Sequence, residues 1–218
     1  MSRTEEIFPV MGTDIPADAY FRIDLSAKAT AGEVTDPLIS MGEFIQSKCS
    51  AEKYCPFGGF LEKRGFYTAD QYTRGKQMAR DLHIGVDIWL PAGTPVYAPL
   101  DGKIHSFAYN DKPLDYGGTI ILEHEWKGMQ FYALYGHVSK NSVQNLRAGT
   151  LIKKGTQIAD LGSHKENGGW YPHLHLQVIK DLGRFSGDYP GVVAEKNKNV
   201  IENCMNAEFL VLPEEVSL

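Results

Sequence analysis

Between positions 82 and 180, apolar and polar residues alternate with a period of two in short runs separated by turn residues. That pattern predicts strands, because side chains on a strand point alternately to its two faces. The first run covers residues 83–90 and stops at Pro91-Ala92-Gly93. The next covers 94–98 and turns at Pro99-Leu100-Asp101-Gly102. Runs at 103–109, 119–124, 130–135, 156–161 and 171–179 continue the series, with residues 110–118 as a loop. No part of 82–180 carries a convincing helical period, so this stretch reads as a largely antiparallel β-domain.

The flanks differ. Residues 21–25 alternate and predict a short strand. Thr35-Asp36-Pro37 is a helix start, a capping side chain before a proline, and Leu38, Met41, Phe44 and Ile45 form the apolar stripe of a helix over 37–48. Gly58-Gly59 and Lys63-Arg64-Gly65 read as turns, and the tyrosine-rich stretch 66–80 as a solvated connection in preference to an overhang of a groove. Near the carboxyl end, Val200, Ile201 and Cys204 fit one face of a short helix, and residues 209–212 are an apolar strip expected to dock on the core. The expected organisation is an extension, 1–78, packing on the core, a core domain, 79–182, and a docking tail, 183–218. The expected class is mainly β, α+β overall, with short flanking helices.

A chain of 218 residues can bury one sizeable core with embellishments. Its 22 glycines and 11 prolines suit a turn-rich β-fold better than a helical bundle. The net charge of −5 gives no reason to expect nucleic acid or an anionic membrane as partner. No apolar run is long enough for a membrane helix. Residues 1–10 carry Arg3, Glu5 and Glu6 without an apolar segment, so the expected location is cytoplasmic. Cys49, Cys55 and Cys204 are an odd, unpatterned set, expected as free thiols rather than a disulfide framework.

The candidate chemistry sits at the two ends of the strand series. His83-Ile84-Gly85-Val86-Asp87, read as strand, puts His83, Gly85 and Asp87 on one face, with Gly85 leaving space for an ion or substrate. His173-Leu174-His175 likewise puts both histidines on one face. A His, Asp and His set with an open position is a recurring ligand set for catalytic zinc, which acidifies water and polarises a carbonyl. His83, Asp87 and His175 are therefore assigned to Zn2+, with His137, after Tyr135-Gly136, and His173 as catalytic groups for the water proton and the oxyanion. A lone histidine in a β-core is usually a satisfied polar residue. Five polar side chains in two strand-phased motifs and a Gly-His turn are not readily explained that way. A structural zinc site would favour four ligands rich in cysteine, and the cysteines lie outside 83–175. His124 reads as a core or strand-end histidine and His105 as surface. His164, in the loop 162–169, is a candidate for substrate binding. No Gly-x-Ser-x-Gly elbow is present.

These residues resemble those of the M23 (lysostaphin- and LytM-like) zinc metallopeptidases. The resemblance runs through His83-Ile84-Gly85-Val86-Asp87, Pro91-Ala92-Gly93-Thr94-Pro95-Val96, Ala98-Pro99-Leu100-Asp101-Gly102, Tyr135-Gly136-His137, Lys154-Gly155 and His173-Leu174-His175. It implies an antiparallel β-sheet groove with the metal on its floor. It also implies zinc on His83, Asp87 and His175, assistance from His137 and His173, and cleavage of amide bonds in peptides or peptidoglycan. The loop 162–169 is longer than the usual small one, which implies a reshaped groove. Two rival readings are a non-catalytic metal-binding or regulatory module and a hydrolase of small amide or phosphorylated amine metabolites. The oligomeric state is not legible from the sequence.

Overall fold

The computed structural model describes residues 7–67, 72 and 79–212. In chain order the strands are β1 (Tyr20–Arg22), β2 (Cys55–Gly58), β3 (Glu62–Lys63), β4 (Leu82–His83), β5 (Val86–Ile88), β6 (Pro95–Tyr97), β7 (Gly102–Asn110), β8 (Gly117–Trp126), β9 (Met129–Val138), β10 (Leu151–Ile152), β11 (Gln157–Asp160), β12 (Leu174–Ile179), β13 (Val192–Val193) and β14 (Cys204–Met205). Short α-helices flank them, among them α1 (Ala27–Thr30), α2 (Ile39–Lys48) and α3 (Lys198–Glu202). The main sheet runs β1-β2-β5-β12-β9-β8-β7-β10, with β14 added along β12. A three-stranded sheet, β13-β4-β3, and the pair β11-β6 complete the strands. The three central pairings, β7 with β8, β8 with β9 and β9 with β12, are all antiparallel. This is the mainly β architecture that the alternation predicts. Among the described residues no helix is long and apolar enough to cross a membrane.

Two departures from the alternation matter. The run 83–90 is not one strand. It breaks at Gly85 into β4, which pairs with β3 and β13, and β5, which pairs with β12 in the main sheet. His83 and Asp87 therefore enter the site from two sheets and not from the pleat of a single strand. The second departure is the N-terminal segment, which is woven into the sheet: Phe57 pairs with Ile88, and Gly58 with Asp87. Helix α2 starts two residues later than predicted, yet Asp36 does cap it. Its carboxylate accepts the backbone N–H groups of Leu38, Ile39 and Ser40 at 3.0, 2.6 and 3.2 Å.

The tail docks as its apolar strip predicts. Phe209 stacks on Trp126 with ring centroids 5.4 Å apart and meets Phe131 edge-on at 6.2 Å. Leu210 and Val211 are fully buried beside it. Phe209→Ala is accordingly expected to cost about 3–5 kcal/mol by opening a cavity that the stacked indole cannot fill. Denaturant unfolding would check this, and a cost near zero would contradict the docking. All three cysteines are free, with Cys55 and Cys204 buried.

Candidate metal centre

Four buried histidines and one buried aspartate line a cavity of about 510 Å³. Asp87 on β5 and His175 on β12 are register partners across the main sheet, and Gly136 on β9 is the partner of His175 on its other side. His83 reaches in from β4. Gly85 matters here in a way its spacing alone does not reveal. A Cβ at this position would stand 2.5 and 2.6 Å from two atoms of the His175 ring, so the space it leaves is taken by the imidazole rather than kept for an ion or substrate. Gly85→Ala is expected to displace the His175 ring and, if that ring is a ligand, to weaken metal binding by about tenfold or more. A chelator competition assay reads this; an unchanged affinity would contradict it.

His137 owes its direction to a β-bulge. Thr119 pairs with Gly136 and Gly118 with Val138, which leaves His137 as the extra residue of β9. Its φ of +62° lies in the left-handed region, a conformation a non-glycine side chain adopts at some cost. Such bulges re-aim a side chain next to a site. His173 lies just before β12, with its ring centroid 4.2 Å from that of His137. Trp89 stacks on His173 at 5.9 Å, and the Tyr116 ring packs against both His137 and His175 at 5.5 and 5.2 Å.

Hydrogen bonds assign the proton on each ring. His83 Nδ1 donates to the Gly59 carbonyl at 2.8 Å, His137 Nδ1 to that of Asn167 at 3.0 Å, and His173 Nδ1 to that of Tyr171 at 2.7 Å. His175 Nε2 donates to Gln177 Oε1 at 3.0 Å, and the Gln177 amide is oriented by its Nε2 donating to the Pro190 carbonyl at 3.2 Å. A carbonyl oxygen can only accept, so each ring spends its N–H outward and turns a lone pair inward. His83 Nε2 and His175 Nδ1 then face each other at 3.0 Å. Asp87 Oδ1 stands 3.0 Å from His175 Nδ1 and 3.2 Å from His83 Nε2. Three acceptors thus converge with no proton to share. That arrangement fits a cation, and the spacing is near the ~3.3 Å between neighbouring donors of a tetrahedral ion with bonds of about 2.0–2.1 Å. His83, Asp87 and His175 together form a group able to hold a metal ion.

The electrostatics keep these lone pairs available. Burial, and then the nearby Arg64 guanidinium, pull His83 from 6.5 down to about 4. Burial likewise lowers His137 well below its ordinary value, with the other histidines adding to the effect, and lowers His173. Burial opposes ionisation of Asp87, but His83 and Arg64 hold its carboxyl well below the usual range. These shifts predict a pH dependence for the metal-free protein. Between pH 6.5 and about 4 the unfolded chain binds a proton at His83 that the folded chain refuses, so stability is full above 6.5 and falls as pH drops through that window. His137 and His173 act with the same sign. A series of melting temperatures would show the decline, and a flat profile between pH 6.5 and 4 would contradict it.

All five residues expected from the motifs meet at the site; His164 does not. It is exposed and absent from the cavity lining. The contribution of its loop comes instead from Asn167, which is fully buried and whose carbonyl holds His137. His124, expected as a core residue, is 2 % exposed, with Nδ1 on the Asp101 carbonyl at 3.0 Å. His105 is half-buried, against Tyr132. Arg64, which reads as turn material, is 3 % exposed and donates to Asp87 Oδ2 at 2.7 Å. No local pattern signals that contact across 23 residues of sequence. Gln177 was within reach of the pattern, since it shares a strand face with His173 and His175.

Residues 81–186, 106 of the chain's 218, match the model of Peptidase family M23. The chain is 31 % identical over 138 residues to an uncharacterized metalloprotease of Haemophilus influenzae, a match covering 60 % of this chain and 27 % of that protein. It is 32 % identical over 102 residues to the peptidoglycan DD-endopeptidase ShyB of Vibrio cholerae, covering 44 % of this chain and 20 % of the relative. The chain thus spans about a quarter or less of the length of these relatives. Among solved structures, the catalytic domain of the antimicrobial peptidase lysostaphin from Staphylococcus simulans is 28 % identical. That match covers 60 % of this chain and 80 % of that one, with a TM-score of 0.41.

Proposed function

We propose that the domain is a zinc-dependent amide hydrolase, an endopeptidase or amidase acting on peptides or peptidoglycan fragments. The observation that carries this reading is the convergence of His83 Nε2, Asp87 Oδ1 and His175 Nδ1, three acceptors within 3.2 Å of one another whose rings have spent their protons elsewhere. A zinc ion held by these atoms supplies Lewis acidity toward water and toward the scissile carbonyl. The chain's own part is proton handling. His137 and His173 present neutral Nε2 atoms to the same cavity, and burial keeps both unprotonated near neutral pH. Either is positioned to take the proton of the attacking water, and the imidazolium so formed can hydrogen-bond the developing oxyanion and return the proton to the leaving amine. Asn167 and Tyr171 fix the tautomers through which they do so. A peptidoglycan-type peptide is favoured because the relatives include a peptidoglycan DD-endopeptidase.

The cavity supports a second reading. Met41, Arg64 and Tyr67 from the N-terminal segment and Phe185, Tyr189 and Val192 from the tail contribute to its walls. Such walls suit a chain end or a small amide better than a long polymer. The test is metal per chain by mass spectrometry for the native protein and His83→Ala, followed by hydrolysis assays on cross-linked muropeptides, linear peptides and small amides. Stoichiometric zinc lost in the variant, with muropeptide cleavage, supports the first reading. Cleavage of small amides alone selects the second. Bound metal without hydrolysis of any panel member would favour a binding module, and native protein without tightly held metal would overturn the zinc assignment.

A further inference from the structure

We propose that Arg64 is a positioning residue for the metal centre, clamping Asp87 so that Oδ1 alone is offered to the ion; this rests on the reading of His83, Asp87 and His175 as zinc ligands. Arg64 follows β3 in the N-terminal segment, outside the stretch 81–186 that matches the peptidase family.

The guanidinium is used as a fork. Nε donates to Glu62 Oε1 at 2.7 Å, and Nη1 donates to Asp87 Oδ2 at 2.7 Å and to the Tyr67 hydroxyl at 3.2 Å. Glu62 is itself tied down, with Oε2 accepting the Leu25 backbone N–H at 2.9 Å. One side of the fork is thus anchored to the backbone through Glu62, and the other takes one oxygen of the aspartate. A carboxylate free to turn can offer a metal both oxygens. One whose Oδ2 is held by a buried planar fork offers only Oδ1, the atom that faces the two ring nitrogens.

Gly59 makes room for this arrangement. A Cβ there would stand 2.2 Å from Arg64 Nη2, and the backbone has φ +101°, which disfavours any other residue. The Gly59 carbonyl is also the acceptor that sets the His83 tautomer. Residues 59–64 therefore support two of the three proposed ligands.

The sign of the effect separates this role from a purely electrostatic one. A cation beside the ligand repels a divalent ion, so if charge alone mattered, Arg64→Met would tighten metal binding. Positioning predicts the opposite, a zinc affinity weaker by about 10–100-fold. The experiment titrates the whole chain with zinc against a chromophoric chelator and records the visible spectrum of the cobalt-loaded protein for wild type, Arg64→Met and Arg64→Lys. We expect weaker zinc binding in both variants and a fainter cobalt band in the methionine variant, as the freed carboxylate adds its second oxygen to the metal. Affinity equal to or tighter than wild type, with an unchanged cobalt spectrum, overturns the proposal. If circular dichroism shows that Arg64→Met does not fold, Arg64→Lys decides, and wild-type affinity and spectrum there overturn it equally. Wild type without bound zinc defeats the ligand assignment itself and is recognised before any variant is made.

Discussion

Replacing Asp87 with alanine is expected to abolish metal binding and to destabilise the metal-free fold by about 3–5 kcal/mol. Two losses coincide in this one side chain. Oδ1 is the anionic member of the proposed ligand set, 3.0 Å from His175 Nδ1 and 3.2 Å from His83 Nε2. Without it, two neutral imidazoles remain, too few for a tightly held zinc ion. Oδ2 is the acceptor for Arg64, whose side chain is as buried as that of Asp87. Deleting the carboxylate leaves a guanidinium in the interior with Glu62 as its remaining anionic partner. A buried charge stripped of its counter-ion is among the costliest single defects a fold can carry. Asp87→Asn separates the two losses, since it keeps the shape and one oxygen while removing the charge. Zinc per chain and denaturant midpoints of the metal-free proteins are the measurements. Full zinc occupancy in Asp87→Ala would refute the ligand assignment.

His137→Ala is expected to do the reverse, keeping the metal while lowering turnover by about 10²–10⁴-fold, the usual contribution of a general acid–base group. The ring is not among the three converging acceptors, and its Nδ1 is spent on the Asn167 carbonyl. What its loss removes is a neutral lone pair facing the cavity beside His173. Zinc content near wild type with collapsed kcat would place His137 in proton transfer. Turnover close to wild type would remove it from the mechanism and leave His173 as the sole candidate. The backbone offers a control: because φ is +62°, glycine should be tolerated here better than alanine, by about 1 kcal/mol. His137→Gly should thus be the more stable variant and equally inactive.

How much of the site could be read from the chain depends on the range of each interaction. The strand series was legible because alternation is a local signal: residues two apart on a strand share a face whatever lies across from them. That logic placed His173 and His175 together and would also have reached Gln177. It failed at residues 83–90, where the period-two pattern continues through Gly85 while the backbone leaves one sheet for another. His83 and Asp87 still meet, but across a break instead of along a pleat. His164 misled for the opposite reason. A polar loop next to a motif has no periodicity to say which of its residues turns inward, and it was Asn167 that did.

The chain by itself determined the β-architecture, the five side chains of the centre and the type of chemistry they suit, since each rests on residue identity and short-range phase. Only the tertiary structure decided how those side chains are held. The bulge that turns His137, the Gly85 gap filled by the His175 ring, the Gly59 and Asn167 carbonyls that set the His83 and His137 tautomers and the Arg64 fork on Asp87 are contacts between segments far apart in sequence. Such contacts leave no mark on local pattern, because the partners share a site without sharing a period.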